Sequence, residues 1–287
     1  MNQYILLSIV LSILSIQPAL GQGGQYVQIN DDVELYYEER GAGTPLIFIP
    51  GWTMTTAFFE HQLAYFSRQY RVITIDPRSQ GRSSKTLENN TYAQHASDLA
   101  AFMEALDLED VVLAGWSSGA HTLYAYIRAF SLARIKALVF IDETPKWIGD
   151  TKTEWVYGTA MGYKSSIQGI LHDRRNGAAG IARWMVERPL NDEEVAWMVD
   201  EMMKTPTHAA FMLYVDSLFE DYMPEARAID GQVPVLYMLR ESWLDQAKRW
   251  LDVHAPNAEI LPMNHHAMFW ERPDAFNAAL EIFLVRV

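Results

Sequence analysis

A serine framed by glycines, directly after a buried strand, constrains the fold of this chain more than any other feature. The apolar run 111–113 is short and continuous, as in a strand buried on both faces. It leads into Gly115-Trp116-Ser117-Ser118-Gly119, a G-x-S-x-G pattern, and then into a helical segment over 120–130. A turn tight enough to expose the Ser117 hydroxyl strains the backbone, and small flanking residues avoid the resulting collisions. The pattern predicts a serine nucleophile at the end of a strand.

Strands and helices alternate along most of the chain. Continuous apolar runs predict buried strands at 46–49, 72–75, 111–113, 137–141 and 235–239, with a last short strand at 259–261 and an edge strand at 33–40. Helical spacing of apolar residues predicts helices at 58–66, 92–106 and 273–284. This alternation indicates an α/β fold, a mostly parallel, doubly wound sheet with helices on both faces.

One long stretch interrupts the alternation. No buried strand is predicted between residues 144 and 230, where the sequence is helical and rich in Trp, Tyr, Phe and Met. A segment of this size cannot bury all of these side chains against itself and the sheet, so their number favours a lined cavity. We expect a core formed by residues 22–143 and 231–287, and a helical cap formed by residues 144–230.

The first 21 residues have the pattern of a targeting segment. An uncharged apolar run over 4–16 is followed by Pro18 and by small residues at the positions that precede a cleavage after Gly21. The run is shorter than the roughly 20 residues of a membrane-spanning helix. The pattern predicts a signal peptide over 1–21 and a secreted or periplasmic protein without stable membrane insertion, although the usual Lys or Arg near the start is missing.

Composition excludes several classes of function. The formal charge is −13, and no basic run could neutralise a series of phosphates, so neither nucleic acid nor an anionic membrane surface is an expected partner. The absence of cysteine excludes a disulfide framework, a thiolate metal site and a cysteine nucleophile. The eight histidines show no H-E-x-x-H or similar pairing, so no metal site is predicted. The oligomeric state stays open.

Four motifs, in order along residues 25–287, resemble those of the α/β-hydrolase superfamily. The segment Phe48–Trp52 resembles the oxyanion loop after the third strand, and Asp76–Ser83 resembles the D-x-R-G-x-G-x-S loop, with Ser79 in place of the usual Gly. The G-x-S-x-G pattern is the third motif. The segment Asn264–Pro273 is similar to the terminal G-H-x-x-x-x-E-x-P. The resemblance implies an α/β-hydrolase fold with an inserted helical cap, and no cofactor.

The fourth motif selects the base. Counting back five residues from Glu271 selects His266 and leaves His265, the fallback, at the usual Gly position. His266 also follows the last predicted strand, where a base must lie to reach Ser117. In the resemblance, the loop that contains Asp76 is structural.

The orienting acid of the predicted triad has more than one candidate. The family most often carries it just after the strand that corresponds to 234–239, but Trp243 stands where that Asp is expected. Some relatives, such as certain haloalkane dehalogenases, carry the acid after the preceding core strand, which here selects Asp142. The other carboxylates that remain candidates are Glu143, Glu241 and Asp245.

These residues predict a serine hydrolase that cleaves an ester or a lactone through an acyl-enzyme. Ser117 attacks the carbonyl, His266 transfers protons, and Asp142 orients the imidazole. Backbone N–H groups of Trp52 and Ser118 are expected to hold the oxyanion. A serine nucleophile argues against an epoxide hydrolase or a haloalkane dehalogenase, which use Asp at this position in the resembling families.

The sequence indicates a small-molecule substrate that is bulky and apolar. Trp52, Trp116 and the aromatic, Met-rich segment 144–230 favour such a ligand. Several activities remain open: hydrolysis of a simple ester, a macrolide or an acyl-homoserine lactone, perhydrolysis, and an aminopeptidase of the proline-iminopeptidase type. A ligand-binding protein with little turnover on the same fold is the rival from another class.

Overall fold

The computed structural model describes residues 24–151 and 154–287, and its framework is one eight-stranded sheet. The predicted signal peptide, residues 1–21, lies outside the described residues. The strand order is β1-β2-β4-β3-β5-β6-β7-β8, in which β1, β2 and β4 pair antiparallel and all other neighbours pair parallel. The strands are β1 Gln25–Asn30, β2 Val33–Arg40, β3 Pro45–Ile49, β4 Arg71–Ile75, β5 Val111–Trp116, β6 Ile135–Ile141, β7 Val235–Arg240 and β8 Glu259–Met263. The predicted fold class is confirmed.

One strand prediction was wrong in its position. The segment 33–40 was expected at the edge of the sheet, but β1 pairs with its outer side, so β2 is the second strand. The reason lies in the composition of β1, which is largely exposed and contains Gln25, Gln28 and Asn30. A strand of this kind has no continuous apolar run by which the sequence could reveal it.

The centre of the sheet is covered on both faces. All six residues of β5 are buried, and because successive side chains of a strand point to opposite faces, both faces are shielded from water. The helix α1 packs against α11, and α2 packs against α3. The helices are α1 Glu60–Phe66, α2 Tyr92–Ala105, α3 Gly119–Phe130, α4 Lys164–His172, α5 Arg174–Trp184, α6 Asp192–Met203, α7 Thr207–Phe219, α8 Met223–Ala228, α9 Leu244–His254, α10 Met268–Glu271 and α11 Pro273–Leu284.

Five helices, α4 to α8, lie between β6 and β7. In the described part of this segment no residue joins the sheet, and α5 packs against α6 while α4 packs against α5 and α7. Its aromatic and Met side chains divide into two groups: Trp155, Met198 and Met202 are buried in packing, whereas others line a cavity described below. The division of the chain into a core and a cap stays a prediction.

Across the described ranges, no helix combines the length and apolar composition that a membrane crossing requires.

Candidate active site

Ser117 lies in the turn that joins β5 to α3, as the glycine-framed pattern predicts. Its backbone has a positive φ of 52°, and the turn is fixed by bonds from Ser117 N–H to the carbonyl of Ile141 (2.8 Å) and from Ala120 N–H to the carbonyl of Ser117 (2.8 Å). A Cβ atom at Gly119 would collide with the carbonyl oxygen of Ile49, and one at Gly115 would lie 2.8 Å from the nitrogen of Ala120. Only glycine fits these two flanking positions without a backbone shift.

His266 and Asp142 form a direct pair. Nδ1 of His266 lies 2.6 Å from Oδ2 of Asp142, and both side chains are buried. His266 follows β8, and Asp142 follows β6 with a positive φ of 49°. The indole N–H of Trp116, the residue before Ser117, donates to the carbonyl oxygen of His266 at 2.9 Å. His266 and Ser117 line the same cavity, so the structure brings the three predicted residues to one edge of the sheet.

The other carboxylates considered for the acid lie elsewhere. Glu241 and Asp245 are exposed. Glu143 is fully buried, but it accepts hydrogen bonds from the N–H of Thr144 (2.7 Å) and the hydroxyl of Tyr157 (3.4 Å). Of the four candidate carboxylates, Asp142 is the one hydrogen-bonded to the imidazole of His266.

Burial and the neighbouring charges act in opposite directions on this pair. It opposes the ionisation of Asp142, but Arg240 and His266 outweigh burial and hold the pKa of the Asp142 carboxyl below its ordinary value. Burial also lowers the pKa of the His266 imidazole, against the attraction of Asp142. At Glu143 burial outweighs the hydrogen bond from the N–H of Thr144 and the attraction of Arg240, and it raises the pKa of the carboxyl to about 8. The site at neutral pH thus holds an ionised Asp142, a neutral His266 and a protonated Glu143.

The loop after β3 contacts Ser117. A Cβ atom at Gly51 would lie 2.8 Å from the Cβ atom of Ser117, so the backbone of Gly51 and Trp52 runs alongside the serine. The Trp52 indole donates to the carbonyl of Ala210 in α7 at 2.7 Å, and its ring lines the cavity. Ser118 is fully buried at the start of α3. The two residues expected to supply oxyanion donors therefore flank Ser117.

A residue that the sequence reasoning missed holds this loop in place. The Gln80 side chain donates to the carbonyls of Gly51 (3.1 Å) and Met54 (2.8 Å), and it accepts from the N–H of Thr53 (3.3 Å). Thr53 needs such support, because its φ is 62°. Gln80 itself is buried and belongs to the Asp76–Ser83 motif loop, which gave the only signal in the sequence.

The same motif loop is anchored by buried carboxylates. Asp76 accepts from the N–H groups of Thr56 and Arg82, each at 2.7 Å, and Arg78 pairs with both oxygens of Asp98 at 2.7 and 2.6 Å. Asp76 lies outside the set of cavity-lining residues, which agrees with its expected structural role.

A cavity of about 320 Å³ opens above Ser117 and His266. A second space of about 340 Å³ adjoins it and shares Trp52, Ser166, Ile181 and Tyr214 with it. The walls of the first cavity are mainly aromatic and Met side chains from the sheet loops and the segment 144–230. They comprise Trp52, Met54, Trp116, Trp147, Tyr157, Tyr163, Trp184, Met185 and Tyr214.

No cluster of three or more His, Asp or Glu side chains that could hold a metal ion occurs within residues 24–151 and 154–287.

Comparison with known proteins agrees with this architecture. The sequence profile of the alpha/beta hydrolase fold matches residues 44–161. A protein of Synechocystis sp. that bears the name non-heme chloroperoxidase is 33% identical over 267 residues, which cover 88% of this chain and 95% of that protein. The structure of a bromoperoxidase from Bacillus anthracis superposes with a TM-score of 0.84 at 22% identity, over 91% of this chain and 99% of that one. An esterase (EaEST) from Exiguobacterium antarcticum gives 0.82 at 20% identity, with the same coverage.

Proposed function

The chain belongs to the α/β-hydrolase superfamily and is a hydrolase of that family, and from this premise we propose that it cleaves carboxylic esters or lactones through an acyl-enzyme on Ser117. The observation that carries the proposal is the 2.6 Å bond between His266 and Asp142, with His266 and Ser117 on the wall of one cavity. This arrangement has the parts of a nucleophile, a base and an orienting acid.

The bond to Asp142 determines what His266 can do. When Nδ1–H donates to the carboxylate, the neutral imidazole keeps Nε2 as its free acceptor. Nε2 takes the proton of the Ser117 hydroxyl while Oγ bonds to the substrate carbonyl carbon. The imidazolium then returns this proton to the leaving alcohol oxygen as the ester bond breaks. Water, deprotonated by His266, attacks the acyl-enzyme, and the acid product leaves with Ser117 restored.

The charge that develops on the carbonyl oxygen needs donors. We assign this role to the backbone N–H groups of Trp52, which follows Gly51 in the loop that contacts Ser117, and of Ser118 at the start of α3. A donor of this kind contributes about 3–4 kcal/mol to transition-state stabilisation. Because these donors are backbone groups, side-chain substitutions at either position should change pocket shape more than oxyanion binding.

The cavity supports an apolar substrate. Its aromatic and Met walls offer few polar groups beyond Ser117, Ser166 and His266, and its volume of about 320 Å³ accommodates a small ester. The adjoining space of about 340 Å³ extends the site toward α4 and α5, which suits a longer acyl chain or a large lactone ring.

Perhydrolysis is the second candidate function, because a protein of Acinetobacter calcoaceticus that is 27% identical over 131 residues, 45% of this chain, is named a bifunctional esterase/perhydrolase. In this reaction hydrogen peroxide, in place of water, attacks the same acyl-enzyme and releases a peracid. The two candidates differ in the second nucleophile and share every residue described above.

Hydrolysis of p-nitrophenyl acetate, butyrate and octanoate, and of macrocyclic lactones, by the purified protein tests the proposal. We expect turnover that falls at least 10³-fold in Ser117→Ala and stays within twofold in Ser97→Ala, a hydroxyl on α2 outside the cavity lining. Peracid formation with added hydrogen peroxide separates the second candidate. Equal turnover in Ser117→Ala and the native protein would refute the nucleophile, and ligand binding without turnover would favour a binding protein.

A further inference from the structure

A buried arginine lies against the acid of the site. Arg240, the last residue of β7, is 7% exposed. Its Nη1 donates to Oδ2 of Asp142 at 2.8 Å, and its main-chain N–H donates to Oδ1 at 2.9 Å. Since Oδ2 also accepts from Nδ1 of His266, one carboxylate receives three hydrogen bonds, two of which come from Arg240.

Aromatic side chains hold the guanidinium in this position. The Cζ atom of Arg240 lies 3.6 Å from the ring centroid of Trp243 and 5.3 Å from those of Tyr157 and Trp184. Contacts of this kind stabilise a desolvated cation, because the faces of the rings carry partial negative charge. Trp243 stands where the resemblance places the acid, so the usual carboxylate position is taken up by the platform that supports Arg240.

Few charged groups act on His266 besides Arg240. Asp142 acts on His266 from the end of β6, Arg240 from β7, and His265 from the loop of His266 itself, and Glu143 adjoins Asp142. The last residue of α5, Trp184, and the residue after it, Met185, are uncharged. Glu143 is protonated at neutral pH, since burial raises its pKa to about 8. Arg240 is therefore the group that offsets the negative charge of Asp142.

We propose that Arg240 is a positioning residue of this site: it fixes the Asp142 carboxylate from two directions and neutralises its charge beside His266, so that the imidazole stays neutral in more acidic solution. The kinetic consequence rests on the proposed function, whereas the hydrogen bonds from Arg240 to Asp142 do not depend on it. Without the guanidinium, the full charge of Asp142 would act on the imidazolium and favour it.

The pH dependence follows from the direction of each effect. Burial first, and Arg240 in addition, lower the pKa of His266, whereas Asp142 raises it. Removal of the Arg240 charge should therefore raise the His266 pKa, by about one pH unit for a charge at this distance. The acid limb of kcat/KM, where the base becomes protonated, should move upward by the same amount.

The kinetic test compares Arg240→Met, which keeps the stem but removes the charge, with Arg240→Lys, which keeps the charge. We expect the acid limb of kcat/KM for p-nitrophenyl butyrate to rise by about one pH unit in the Met variant and by less than half of that in the Lys variant. Arg227→Met is the matched control, because Arg227 also packs over an indole, that of Trp250, but away from the cavity. An unchanged acid limb in Arg240→Met would overturn the inference.

A second measurement needs no turnover. In protein labelled with ¹⁵N-histidine, the imidazole of His266, assigned by loss of its signal in His266→Gln, is titrated in Ser117→Ala with and without Arg240→Met. A His266 midpoint that rises when Arg240 is replaced supports the inference. Absence of ester hydrolysis would refute the proposed function but would leave this inference standing. An equal midpoint overturns the inference even if the protein is an esterase. If Arg240→Met does not fold, a native midpoint above the ordinary value of about 6.5 overturns it as well.

Discussion

The indole N–H of Trp116 donates to the carbonyl oxygen of His266 at 2.9 Å, so the residue before Ser117 holds the loop that carries His266. Trp116 is fully buried and its ring packs against Phe269, three residues after His266. The link connects two parts of the site that are 150 residues apart in the sequence. The bond supports the main chain at His266 without using the side chains of Ser117, His266 or Asp142.

Substitution Trp116→Phe should loosen this link while it keeps an aromatic ring in place. A buried carbonyl left without its donor costs about 1–3 kcal/mol, and the base loop should lose its register with Ser117. We expect the free energy of unfolding in urea to fall by that amount and kcat to fall about tenfold. Trp155→Phe is the control, since Trp155 is equally buried but its indole nitrogen has no hydrogen-bond partner. Equal losses of kcat in both variants would contradict a role for the bond.

Asp142→Asn should identify the acid. The amide cannot accept from Nδ1 of His266 and Nη1 of Arg240 as the carboxylate does, so the imidazole loses its tautomer and the stabilisation of its cation. We expect kcat to fall about 10⁴-fold with the fold retained by circular dichroism. Glu241→Gln and Asp245→Asn, both exposed, should stay within twofold of the native kcat. Near-native activity of Asp142→Asn would move the role to one of these two residues.

The local motifs explain how much of this site the sequence could reveal. Ser117 and His266 are identified by residues within a few positions of each other, because the turn and the loop are short-range structures. Asp142 was selected because Trp243 occupies the usual acid position. Arg240 and Asp142 are 98 residues apart in the sequence. An arginine at the end of an apolar strand gives no periodic signal that its partner is a carboxylate at the end of the neighbouring strand.

Strand order was beyond the same reasoning. Seven strands were predicted close to their observed bounds, five of them from apolar runs, but pairing depends on which strands lie side by side, and β3 lies between β4 and β5. The exposed β1 gave no run at all. The sequence did not predict the role of Gln80 for a similar reason. Its hydrogen-bond partners lie 26 to 29 residues earlier, on a loop whose conformation no sequence pattern predicts.

Gln80→Leu should separate loop geometry from substrate binding. The variant keeps the volume of the side chain but loses its three bonds to the loop Gly51–Met54, which carries an expected oxyanion donor at Trp52. We expect kcat to fall about 100-fold with KM changed less than threefold, because the donor acts mainly in the transition state. Gln69→Leu, on an exposed glutamine, serves as control. A change in KM alone would contradict this role.

Two buried histidines predict a loss of stability in acid. Burial lowers the pKa of His121 to about 3 and that of His95 to about 4. Between these values and about 6.5 each of these histidines binds a proton in the unfolded chain but not in the folded chain, so their contribution to stability rises with pH in that window and is lost as pH falls through it. In urea denaturation from pH 7 to 4.5, we expect His121→Phe to reduce the slope by about 1.4 kcal/mol per pH unit below pH 6. Parallel curves for variant and native protein would refute the assignment.

The backbone at Ser117 and at Asp142 is left-handed, and each residue costs about 1–2 kcal/mol there relative to an ordinary conformation. Glycine would adopt both positions without that cost, but it has neither the hydroxyl nor the carboxylate. The backbone conformation alone would therefore favour glycine at both positions, whereas the side chains oppose it: at Asp142, glycine would leave the buried Arg240 without its carboxylate. Directed evolution of a thermostable form of this protein should screen for activity in every round, because two of its left-handed non-glycine residues are the ones to which the proposed chemistry is assigned.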